Sequence, residues 1–245
     1  MNNFLKKLKK IMPKYIKPKF YNDKELLLWN QKQGKKYSQS IIQNNKAIKI
    51  QKTLGKSGIK ELYMNCSFEN YHINHKGHQK VLNASRKYAE NFKNSIASFI
   101  FSGKPGTGKN HLAAAIGNYL ILQGNSVLII TIADLMSYIK ETFNKKNTNS
   151  MTEEKLLNNF STIDLLIIDE IGIQLKSEYE KIIINQIIDR RSSSKKSTGM
   201  LSNLTHAGIK NLLGERVIDR MCIGNSLWLT FEWDSYRKNI SGNEY

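Results

Sequence analysis

The stretch Phe99-Ile-Phe-Ser-Gly103-Lys-Pro-Gly106-Thr-Gly108-Lys109-Asn110 constrains this chain more than any other. An apolar run reads as a strand, a glycine-rich loop follows, and Lys109 opens a helical segment that continues through His111 to Leu122. In that order the three make a phosphate cradle. Backbone N–H groups and a helix N-terminus point at an anion, and the lysine reaches the β/γ-phosphates. The candidate nucleotide-binding residues are therefore Gly103, Lys104, Pro105, Gly106, Thr107, Gly108, Lys109, Asn110 and His111. A plain glycine turn explains neither the lysine nor the strand before it. One position departs from the pattern: Asn110 stands where a serine or threonine hydroxyl ordinarily binds Mg2+. Its amide oxygen can ligate the metal or hold a ligating water. ATP binding is expected, and efficient hydrolysis is left open.

A second segment must supply the metal's carboxylate. Asp164-Leu-Leu-Ile-Ile-Asp169-Glu170 is apolar, β-branched and closed by two acids, the pattern of a buried parallel strand. Acids at the carboxyl end of such a strand sit where open α/β sheets bind ligands. Asp169 is the candidate Mg2+ residue and Glu170 the candidate to polarise an attacking water. A hydrolase needs such a carboxylate, whereas a small-molecule kinase has no water to activate. The alternative for Glu170 is a solvated strand end.

These two segments, together with Gly214-Glu-Arg-Val-Ile-Asp-Arg220-Met and Trp233-Asp-Ser-Tyr-Arg237, resemble the DnaC-type replicative helicase loaders. These are AAA+ ATPases related to the bacterial initiator and to the IstB transposition helpers. The resemblance covers essentially the whole chain. It implies an AAA+ P-loop core, a parallel sheet flanked by helices, with a small basic helical N-terminal domain. It also implies ATP and Mg2+ as cofactors, a replicative helicase of the DnaB type and single-stranded DNA as partners, and self-association through the AAA+ domains. By the same resemblance Asn203 is the residue that senses the γ-phosphate and lytic water. Arg220 is an arginine that reaches a neighbouring subunit's γ-phosphate, and Arg237 matches a second sensor. Other readings stand beside these: a turn asparagine for Asn203, and for Arg216 and Arg220 a salt-bridged helix face with Glu215 and Asp219. An IstB-like transposition helper and a small-molecule kinase are the alternative functions.

The formal charge of +18 points to an anionic partner, nucleic acid first. Part of it reflects a composition rich in Lys, Asn and Ile. Of 38 basic residues only six are arginine, Arg86, Arg190, Arg191, Arg216, Arg220 and Arg237. In so lysine-rich a chain, positions that keep arginine are candidates for needing its planar fork. No apolar stretch reaches the roughly 18 residues of a membrane span, and lysines interrupt the N-terminal apolar residues. Cys66 and Cys222 suggest no disulfide framework, so a reduced, cytoplasmic protein is expected.

Residues 1–52 contain only Asp23 and Glu25 as acids. Phe4, Leu5, Leu8, Ile11 and Met12 fall at helical spacing, Asn22 to Glu25 cap a second helix through Leu26, Leu27 and Trp29 that stops near Gly34, and 38–52 suits a third. The resemblance makes this the helicase-binding domain. Residues 53–76 are expected to be a linker, and residues 77–245 the AAA+ domain. A zinc site from Cys66, His72, His75 and His78 is not expected, because the spacing lacks paired ligands.

Within 77–245, helices are expected at 81–92, 109–122, 133–143, 152–160, 177–191 and 209–221. Strands are expected at 97–102, 126–131, 165–169, 200–203 and 227–231. This alternation makes a parallel sheet with right-handed crossovers. Single-stranded DNA would meet Lys140 and Phe143, beside Lys145, Lys146 and Lys155, and Ser177 and Tyr179 after the acidic strand; rings stack on bases and lysines track phosphates. The alternative makes Phe143 core and the lysines a solvated face.

Overall fold

Strands buried along nearly their whole length build the core. The computed structural model describes residues 24–35, 61–92, 97–144, 152–172 and 178–236. Their elements are α1 (24–35), α2 (Glu61–Met64), α3 (Lys76–Asn91), β1 (Phe99–Gly103), α4 (Lys109–Leu122), β2 (Val127–Thr131), α5 (Ile132–Asn144), α6 (Glu153–Thr162), β3 (Leu165–Ile171), α7 (Glu178–Ser193), β4 (Ser197–Ser202), α8 (His206–Leu213), α9 (Glu215–Met221) and β5 (Leu227–Phe231). The strands form one parallel sheet in the order β2-β3-β4-β1-β5.

Leu165 and Ile167 of β3 share one face with Phe99 and Phe101 of β1, where Val81 and Leu82 of α3 and Leu112 and Ile116 of α4 cover them. Leu166, Ile168 and Ile100 face the other way, onto Leu135 of α5, Phe160 of α6, Ile184 of α7 and Val217 of α9. A sheet buried on both faces explains why its strands read as unbroken apolar runs. Each buried aliphatic or aromatic side chain contributes roughly 1.5–3 kcal/mol. Close approach also sets one glycine: a Cβ at Gly199 of β4 would run into the Phe99 ring.

Boundaries agree with the sequence pattern where caps are local. Thr152 caps α6, its hydroxyl accepting from Lys155 N–H at 3.3 Å, and α4 and β5 have the expected limits. The helix expected at 81–92 begins earlier, at Lys76, because His75 Nδ1 accepts from Gly77 N–H and starts the first turn. The helix expected at 209–221 is two helices. Gly214, at φ 81, ψ 159, leaves helical space and separates α8 from α9. In the basic segment α1 runs through Gly34, with Leu27 and Leu28 exposed; Asn22 and the helices expected over residues 4–12 and 38–52 lie outside the described residues.

One arginine is structural. Arg191 is wholly buried at the end of α7 and donates to the carbonyls of Phe160, Ile163, Asp164 and Ser197 and to Thr198 Oγ1. Its fork ties the α6–β3 connection to the start of β4, and burial lowers its pKa to about 9.

Candidate functional site

β1 delivers the chain to the glycine loop at the carboxyl edge of the sheet, and α4 leaves it. Gly103, Gly106 and Gly108 have φ of 125, 74 and 94, a region where a side chain would be strained. No side chain caps the N-terminus of α4, so its first-turn N–H groups face the loop as an anion site. Lys109 is 5% exposed. Its Nζ donates to the carbonyls of Gly103 at 2.8 Å and Lys104 at 2.6 Å. Burial lowers its pKa to about 8, against the opposing pull of the Asp169 carboxylate. These residues fit a polyphosphate: an uncapped helix start and a desolvated ammonium turned onto loop carbonyls that phosphate oxygens can replace.

β3 brings the acids to the same edge. Its pairing with β4 shifts register between Ile168 and Ile171, and within that bulge Glu170 takes φ 63. Strained non-glycine backbone and bulges concentrate at sites that must aim a side chain. Here Glu170 leaves the ladder and lines the pocket. Its N–H donates to Asp169 Oδ1 at 2.7 Å, while Asp169 Oδ2 accepts from Asn110 Nδ2 at 2.5 Å. A carboxylate and an amide oxygen half a turn of χ2 away are hard donors that suit Mg2+.

The pocket, about 460 Å3, contains Gly106 to His111, Asp169, Glu170, Ser202 and Asn203. Its remaining wall comes from a segment expected to be a linker. From α2 onward that segment lies on α4: Asn118 Nδ2 donates to the carbonyls of Tyr63, Met64 and Cys66, and His111 Nε2 lies 3.0 Å from Ser67 O. Phe68 and Tyr71 are buried in the core shared with α4. Tyr71 packs against Gly108, where a Cβ would sit 2.8 Å from its ring. Its hydroxyl is buried beside the phosphate loop without a hydrogen-bond partner among the described residues. From the other side, Trp233 Nε1 donates to Thr107 O at 2.9 Å and Tyr236 N–H to Gly106 O at 2.9 Å. His72 stacks on Tyr236 with centroids 5.2 Å apart. His75 and His78 stack on each other and meet Trp233 edge-on. The sequence did carry a signal for this wall: Phe68, Tyr71, His72, His75 and His78 lie within eleven positions, a density of rings unlike a solvated linker.

Other candidate residues fall elsewhere. Arg220 on α9 lies against Asp189 of α7, Nε to Oδ1 2.6 Å, while Glu215 pairs with Lys210. Arg216 shares that carboxylate, 2.8 Å from Oδ2. α5 and α6 both lie between β2 and β3. On α5, Phe143 is 62% exposed, so it is not core, and its ring centroid lies 6.3 Å from that of Tyr179. Lys140 is exposed beside a cleft that Glu180 also lines. Tyr179 hydroxyl donates to Glu153 Oε2 at 3.4 Å. Ser177, Arg237, Lys145 and Lys146 lie outside the described residues. Among the described residues no helix is long and apolar enough to cross a membrane.

A parallel sheet in this order, with a phosphate loop after β1 and paired acids at the end of β3, defines an ATPase of the AAA+ P-loop class. Residues 35–242 match the family model of the IstB-like ATP-binding proteins. The chain is 71% identical over 242 residues to a replicative helicase loader DnaC of Buchnera aphidicola subsp. Baizongia pistaciae, covering 99% of this chain and 98% of that one. It is 55% identical over 245 residues to the replicative helicase loader DnaC of Escherichia coli K12, covering 100% and 99%. A crystal structure of a DnaC helicase loader shares the fold, with TM-score 0.61 and 24% identity over 70% of this chain and 99% of that one. The chain therefore belongs to the DnaC-type replicative helicase loaders within the IstB-like ATP-binding family.

Proposed function

We propose that this protein delivers a replicative DNA helicase of the DnaB type onto single-stranded DNA, with ATP binding and hydrolysis as the switch. The observation that carries the hydrolytic part is Glu170, turned out of β3 by the bulge into the pocket that holds Lys109 and Asn203. Lys109 Nζ exchanges the Gly103 and Lys104 carbonyls for β/γ-phosphate oxygens. Glu170 orients water for attack on the γ-phosphate and takes its proton, and Asn203 sits at the end of β4 to contact that phosphate. Asp169, through water, and Asn110 would hold Mg2+, which when bound neutralises charge on the phosphates. Tyr71, His72 and Tyr236 line the ring-rich end of the pocket, where the nucleoside binds.

Arg220 acts on the site of a neighbouring subunit, so turnover requires self-association. Residues 1–52 grip the helicase, while the chain from Tyr63 onward packs with the AAA+ core. Lys140, Phe143, Ser177 and Tyr179 form the DNA-facing set, which the exposure of Phe143 supports. A cytoplasmic location follows from this role. The transposition-helper and small-molecule kinase readings lack comparable support from the relatives named above. Capture of the host's replicative helicase by the full chain, with and without ATP, tests the proposal. Capture that depends on residues 1–52 and changes with ATP is expected; no capture in either state overturns it.

A further inference from the structure

Two arginines share one carboxylate at the junction of α7 and α9. Arg216 reaches Asp189 Oδ2 with a 2.8 Å hydrogen bond while remaining mostly exposed itself. Arg220 is more enclosed, with Nε 2.6 Å from Oδ1 and Nη1 donating to Arg216 O at 3.3 Å. The Arg220–Asp189 contact is an ion pair without hydrogen-bond alignment, so Oδ1 is buried with no hydrogen bond from the described residues. An ion pair at a half-buried position holds chiefly by charge, and the missing hydrogen bond lowers the cost of leaving it. When Arg220 leaves, Asp189 keeps Arg216, so no carboxylate is stranded without a cation.

We propose that Asp189 is a positioning residue that folds Arg220 back onto its own subunit until a neighbour's nucleotide site displaces it, with Arg216 as the cation that stays. The proposal rests on the reading of Arg220 as an arginine supplied in trans. In the lone chain the guanidinium is neutralised locally by Asp189, while that chain's own site turns over poorly because no neighbour supplies an arginine to it. On assembly the neighbour's polyphosphate, with several negative charges, outcompetes one carboxylate. Removing the Asp189 charge therefore favours assembly. Removing Arg216 leaves Arg220 as the one ion-pair partner of Asp189 among the described residues and opposes it.

The test measures the full chain at saturating ATP, following self-association by sedimentation velocity and turnover per chain across a range of protein concentrations. Asp189→Asn is expected to lower the half-association concentration about fivefold, and Arg216→Ala to raise it by a similar factor. Asp189→Ser repeats the first arm with a smaller side chain, should the amide misfold. A simple loss of packing would move both variants the same way, so shifts in one direction, or none while Arg220→Ala weakens association, overturn the restraint. An Arg220→Ala chain that associates and turns over as the wild type does overturns the trans reading itself, and the proposal with it.

Discussion

Asn110 on α4 donates its side-chain amide to Asp169 Oδ2 at 2.5 Å, joining the phosphate loop to the acidic end of β3 across 59 positions of sequence. The residue that departs from the usual hydroxyl thus has a definite partner. In this state the amide occupies the carboxylate oxygen that a cation would seek, so metal entry must displace or rotate it.

Asn110→Ser shortens the side chain beyond reach of Asp169 and removes this competition. Loss of one hydrogen bond to a charged group, roughly 1.5–3 kcal/mol, corresponds to a shift of about tenfold or more. The Mg2+ concentration giving half-maximal ATP binding is expected to fall by that factor. A titration of Mg2+ at fixed labelled ATP reads it directly.

Lys109→Ala removes the ammonium that now bonds the Gly103 and Lys104 carbonyls. Two charge-assisted bonds to phosphate are lost, and ATP affinity should fall at least about 100-fold. Filter binding of labelled ATP measures this; undiminished affinity would remove the basis for the phosphate-cradle assignment.

Glu170→Gln keeps the shape of the bulged residue and its N–H bond to Asp169, but an amide does not accept the water's proton. ATP affinity is expected to stay within about threefold and phosphate release to slow by about 10²–10⁴. Retained turnover would place the general base elsewhere.

Tyr71→Phe deletes a hydroxyl buried beside the loop with no partner among the described residues. Such a group is costly in the nucleotide-free chain. The thermal midpoint should therefore hold or rise while ATP affinity drops about fivefold. A fall in both would assign the hydroxyl a structural role.

Asp164 links the start of β3 to β2 and to the α7–β4 turn, accepting from Lys196 Nζ at 2.6 Å and from Ser126 Oγ and N–H at 2.7 and 2.9 Å. Burial alone would raise its carboxyl, but the bonds from Lys196 and Ser126 outweigh it and hold the pKa below the ordinary value. A lowered folded value means the stabilisation is complete above the unfolded value of about 4 and is lost as pH falls through the folded one. Asp164→Asn should cost about 3 kcal/mol at neutral pH. It should also flatten the acid limb of stability, as urea unfolding at several pH values would show.

The local chemistry of this chain was legible without coordinates. Positive-φ glycines before Lys109, an apolar run closed by Asp169 and Glu170, and Thr152 ahead of two acids each act within a few neighbours, so residue type and spacing are enough to place the loop, the central strands and the cap of α6. What the tertiary structure alone decided are the partners that arise when distant segments meet. Trp233 reaches Thr107 from 126 positions away. Tyr71 seats against Gly108 in a stretch that composition marked as a linker, because burial depends on what α4 presents and not on local glycine content. The bulge that turns out Glu170 arises from pairing with β4. Arg220 faces Asp189 because α9 packs on α7, whereas Glu215 and Asp219, five and one positions back on the same helix, do not share its face. Period and capping are properties of a few consecutive residues, whereas a site assembled from both ends of a chain is a property of how its sheet and helices pack.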